Sequence, residues 1–122
     1  MLRSYRLKNE KDLLLILATI APMAAPTNLV GYRGNNYQNY TFTLTGSTSG
    51  SLWGTTIYTD DSNVAVAAVH AGFVTAGQIS IVTVIILPGQ SSYTSTTQHG
   101  ITSSSYGSWS GSYSFLSAVA AG

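Results

Sequence analysis

The sequence predicts an α+β fold, mostly β, in which strands approach one short central helix on more than one side. An extended N-terminal arm with a short apolar helix of its own precedes it. Three observations lead there. Tyr40, Phe42 and Leu44 alternate with Thr41, Thr43 and Thr45, the period-2 pattern of a half-buried strand. A valine- and alanine-rich run from Val64 to Ala71 stands between acidic residues and Gly72, which marks a helix with its start and stop. Leu13 to Ala21 is apolar except for Thr19 and follows the segment that carries most of the charge. Residues 1–39 therefore read as docking arm and connector, and residues 40–122 as the domain.

In the arm, Asn9 can cap, Glu10 and Asp12 suit a first helical turn, and Pro22 ends the helix. Leu13, Leu14, Leu15, Ile16, Leu17 and Ile20 then cover its whole circumference, so the helix must be surrounded. A body this small has little room to surround it. The expected arrangement is docking into a partner or a neighbouring copy, the alternative being a fold-back onto its own domain. Basic residues followed by an apolar run resemble a secretory signal. Glu10, Asp12 and Pro22 fit that pattern poorly, and the segment is expected to stay with the chain. Its length falls short of the about 20 residues a membrane span requires, so no span is expected. Pro26 to Asn39, rich in Asn, Gly and Tyr, reads as an extended connector.

Composition narrows the function. Charged residues make up 7% of the 122, and beyond Arg33 only Asp60 and Asp61 are charged. A typical globular surface carries several times more, about a quarter of residues. Such a surface suits a fixed place in an assembly, or work outside the cell. No basic patch exists in the body, so a nucleic-acid partner is not expected. With no cysteine and two histidines, neither a disulfide framework nor a three-ligand zinc site is available. No phosphate-cradling glycine motif is present, and no cofactor is expected.

Along the body, Leu52 to Thr59 reads as a second strand, with Gly54 at a bulge or close backbone approach. Asp60, Asp61 and Ser62 offer capping oxygens to a helix over about Ser62–Ala71. His70 can bond the last carbonyls, and Gly72 can end the helix in a left-handed conformation. Small side chains let strands approach this helix on more than one side. Ile79 to Leu87 reads as a core strand covered on both faces, ended by a Pro88-Gly89 turn. Loops with single aromatics follow, then a closing strand at Tyr113–Phe115 and an apolar tail from Leu116 that needs a cover. Asp60, Asp61, Ser62 and His70 invite a catalytic or metal reading, but their positions are those of helix caps, so no catalytic or metal residue is assigned. Tyr93, Tyr106, Trp109 and Tyr113 are candidate ligand-facing aromatics for sugar stacking, although packing over a small core is the first expectation.

Gly54-Thr55-Thr56-Ile57-Tyr58-Thr59-Asp60-Asp61-Ser62, followed by Ala67-Ala68-Val69-His70-Ala71-Gly72, resembles the signature of LCCL domains. Pro88-Gly89-Gln90, Tyr93, Gly100-Ile101, Ser105-Tyr106-Gly107-Ser108-Trp109 and Ser114-Phe115 continue the resemblance, which spans about Trp53 to Phe115. It implies a central helix wrapped by antiparallel strands, and gives His99 a turn role where the family pattern often has Asn before Gly. Family members usually carry disulfide cysteines, one of them where this chain has Ala65. Their absence implies a microbial or phage version of the fold. The run Gly107 to Phe115 is also similar to LCCL-like segments of phage structural proteins.

The function expected from all this is a non-enzymatic virion structural protein. A capsid cement or decoration protein anchored by its arm is favoured, with a neck, tail or baseplate component as the nearest variant. Its partners would be a major capsid or neck/tail protein and copies of itself, and its place the virion. The alternative is a carbohydrate- or lipid-binding LCCL module of a secreted or surface protein, located outside the cell.

Overall fold

The computed structural model describes residues 22–121. The apolar segment Leu13, Leu14, Leu15, Ile16, Leu17 and Ile20 lies outside the described residues. In chain order the elements are β1 (Met23–Ala24), a 3-10 turn (Val30–Tyr32), β2 (Asn39–Thr45), β3 (Gly54–Thr55), β4 (Ile57–Thr59), α1 (Val64–His70), β5 (Ile79–Gln90), β6 (Thr97–Gln98), β7 (Ile101–Thr102) and β8 (Trp109–Ala120). Six strands form one sheet in the order β1-β2-β5-β8-β4-β3, antiparallel except for the β1–β2 pair, and β6 and β7 form a separate ribbon.

Among the described residues the mostly-β architecture with one α-helix in the body is as the sequence predicts. The helix is enclosed: Val64, Val66, Ala67, Ala68, Val69 and His70 are all buried. Phe42, Leu44, Val82, Val84, Ile86, Tyr113 and Phe115 from the sheet complete the same core with it. Ala67 and Ala68 are fully buried, which is why this helix carries small residues.

Five expectations need correction. The helix starts at Val64 with Asn63 as N-cap, whose side chain accepts from the Val66 N–H at 3.0 Å; Asp60, Asp61 and Ser62 precede the cap and do other work. Residues 26–39 are no loose connector: Leu29 is fully buried, and Tyr32 packs on Tyr40 and Phe42. The run Leu52–Thr59 is broken at Thr56, whose φ of 67° turns β3 into β4. Pro88 and Gly89 lie inside β5 instead of ending it. The apolar tail is not separate either. Strand β8 continues to Ala120, shifting register by a bulge against Thr83/Val84, so that Ala118 and Ala120 keep pairing with β5.

A sixth correction concerns β5, which among the described residues is covered by a layer on one face only. Ser80, Val82, Val84 and Ile86 point into the core, whereas Ile81, Thr83, Ile85 and Leu87 are half-buried and lie outside it. Flanking strands β2 and β8 shade that second row, and this accounts for a run that is apolar at nearly every position.

Gly72 ends α1 with φ +84°. Its N–H bonds the Val69 carbonyl and the Phe73 N–H the Ala68 carbonyl, the paired closure of a left-handed C-terminal stop.

Candidate functional site

The loop between β4 and α1 gathers the charge of the domain. Asp60 is fully buried, and its Oδ2 accepts from Arg33 Nε, while its Oδ1 accepts from Arg33 Nη2 and Trp109 Nε1, each at 2.8 Å. Burial pushes the Asp60 carboxyl up, but these hydrogen bonds and the Arg33 charge outweigh it and hold the group below the usual carboxylate range. The guanidinium also sits over the Trp109 ring, 5.5 Å from its centroid. Gly111 is required beside them, because a Cβ there would collide with the Asp60 carboxylate. Asp60 therefore works as a tertiary clamp on two distant segments, not as a helix cap.

Ser62 is likewise a tie. Its Oγ accepts from the Trp53 N–H at 2.9 Å and bonds Thr59 Oγ1 at 2.8 Å, and Tyr113 donates its hydroxyl to the Ser62 carbonyl at 2.9 Å. His70 is buried with both ring nitrogens engaged. Nε2 faces the Thr96 carbonyl at 3.1 Å and must donate to it; Nδ1 therefore accepts the Tyr58 hydroxyl at 2.9 Å. Burial pushes the Tyr58 phenol up to about 12. The imidazole that closes the helix end is that of His99, whose Nδ1 donates to the His70 carbonyl at 2.9 Å.

Asp61 differs from its neighbour. Its Oδ1 is shut off from water and has no hydrogen-bond partner, the one such side-chain atom among the described residues. It lines a cavity of about 130 Å³ with Trp53, Thr59, Tyr106 and Trp109. Tyr106 meets Trp109 edge-on, with centroids 5.7 Å apart. Of the four candidate aromatics, Tyr106 and Trp109 thus come together at this cavity. Tyr113 is core, and Tyr93 is buried with its hydroxyl on Ser112 Oγ at 2.6 Å. Sequence reasoning missed Arg33, Trp53 and Asn63; His99 has the turn role expected of it, with φ 51° between β6 and β7, but its bond to the helix end was missed. A signal existed for Arg33, the single basic residue near a body with two acids, and for Asn63, a strong capping type directly before the apolar run. Nothing in the sequence marks Trp53.

Among the described residues, no group of three His, Asp or Glu side chains can hold a metal ion, and no helix is long and apolar enough to cross a membrane.

The family model described as LCCL domain matches residues 31–113, from the turn that bears Arg33 to the buried Tyr113. The chain belongs to the LCCL domain family. This LCCL chain has no cysteine, and hydrogen bonds of His70 to the Thr96 carbonyl and of His99 to the His70 carbonyl tie the end of α1 to the β6 region. LCCL is a non-catalytic, binding-type family. A search of curated proteins found no relative.

Proposed function

We propose that this LCCL chain is a non-enzymatic attachment protein of a virion, a cement or decoration protein seated on the major capsid protein or on a neck or tail component. The observation that carries this reading is the outer face of the sheet. Ile79, Ile81 and Ile85 run along β5 with Thr41, Thr43 and Thr45 of β2 on one side and Ser114, Ser117 and Val119 of β8 on the other. Ile79 and Val119 are more than half exposed, and no residue of this face is charged. An aliphatic ridge flanked by hydroxyls suits burial against another protein, and gives a free monomer poor protection from association. The segment Leu13–Ile20 would supply a second contact.

The test is the double substitution Ile81→Lys and Ile85→Lys in the full chain. The folded protein should no longer co-purify at fixed stoichiometry with the particle that carries the wild type. Retained co-purification would overturn the reading.

The second reading, a carbohydrate-binding module outside the cell, is favoured by Tyr106 and Trp109 at one cavity. It requires glycan-array binding above background that is lost on Trp109→Ala.

A further inference from the structure

We propose that the cavity lined by Trp53, Asp61, Tyr106 and Trp109 is a binding site for a primary or partly methylated ammonium head group. It shares no residue with the sheet face on which the proposed attachment rests.

Charge argues for a cation. Among the described residues the charged side chains are Arg33, Asp60 and Asp61. Arg33 and Asp60 satisfy each other in a two-bonded ion pair, so among the described residues the Asp61 carboxylate makes no ion pair of its own and meets the Arg33 charge only at longer range. Hydrogen bonding argues for a donor. With Asp61 Oδ1 sealed and without a partner, the carboxylate carries an uncompensated burial cost, and a donor meeting it from the cavity side would offset that cost. The walls argue for an organic cation over a bare metal ion. Three aromatic residues line the space with Asp61, whereas a metal would need more oxygen ligands than the one carboxylate at this cavity. Trp109 already attracts a cation on its ring, as Arg33 shows. Size sets the class. At about 130 Å³ the space is well below the about 300 Å³ at which sites for whole drug-sized ligands begin. It takes a head group at the end of a chain, such as a lysine side chain or an amine of a lipid or cell-wall component.

The site is also built to persist without a ligand. Asp60 holds Trp109 by its Nε1–H, Ser62 holds the Trp53 backbone, and Tyr113 holds the Ser62 carbonyl next to Asp61.

The chain has two tryptophans, Trp53 and Trp109, and both line the cavity, so intrinsic tryptophan fluorescence reads this site alone. The full chain should be titrated with n-butylammonium chloride against sodium chloride at matched ionic strength. A saturable fluorescence change is expected, weakened at least tenfold by Asp61→Asn and several-fold by Tyr106→Ala. Tyr106 is half-exposed, so its truncation leaves the core intact and keeps the test valid should Asp61→Asn disturb the fold. The neutral 1-pentanol and methyl glucoside should give no saturable change. The proposal is overturned by an equal response to 1-pentanol, which makes the cavity merely apolar, or by a response to the glucoside alone, which makes it a sugar site. It is equally overturned by no saturable response, or by unchanged affinity in both folded variants.

Discussion

The two faces of the central sheet are made from similar residues and do different work. On the covered face, Val82, Val84 and Ile86 share the core with α1 and are at most 1% exposed. On the other, Ile81 and Ile85 are half-buried, among the described residues by neighbouring strands alone, and Ile79 at the end of the row is more than half exposed. Burial in a strand is therefore of two kinds. One comes from a layer above, and its loss leaves a cavity. The other comes from lateral shading, and costs little to give up.

Substitutions break this comparison in order of size. Ile86→Ala on the covered face should cost about 3 kcal/mol in denaturant unfolding, because an enclosed site cannot collapse around the missing atoms. Asp60→Ala should cost about as much, roughly 3 kcal/mol, since Arg33 and Trp109 Nε1 lose their acceptor together. Overpacking the helix that covers this face, by Ala67→Leu, should cost roughly 1–3 kcal/mol. On the outer face Ile81→Lys should change stability by no more than about 0.5 kcal/mol. A cost above 2 kcal/mol at Ile81 would mean that something covers that face, with Leu13–Ile20 of the same chain the first candidate.

Acid should act through the covered side as well. The folded Asp60 carboxyl titrates below its unfolded value of about 3.9, so its contribution is complete above that pH. It is lost as pH falls through the lower folded value. The unfolding free energy should therefore decline below about pH 4 in the wild type, and decline less steeply in Asp60→Asn. Equal slopes would show that the clamp contributes nothing.

Much of this was legible from residue order. The alternation at Tyr40–Thr45, the small-residue helix and the stop at Gly72 are local patterns with local causes, and the structure has them where the pattern places them. The LCCL resemblance was legible for the same reason, since its motifs are continuous in sequence. The roles of Asp60, Ser62 and His70 were not. A capping-type residue just before a helix reads as a cap, and nothing local tells that Asn63 takes that position while Asp60 turns to Arg33, 27 residues away. The cavity was half legible: Tyr106 and Trp109 stood out as aromatics, but their partners Trp53 and Asp61 reach them only through the sheet.

By itself the sequence determined the class of fold, the position of its helix, the near-absence of charge and the family, all properties of composition, periodicity and contiguous motifs. Tertiary structure decided which face of β5 is covered, and that the tail past Leu116 extends β8. It also decided that of two adjacent aspartates one is clamped and the other has an oxygen with no hydrogen-bond partner among the described residues. Those outcomes depend on groups far apart in the chain, and the free energy that selects them arises only when the strands have paired and water has left the space between them.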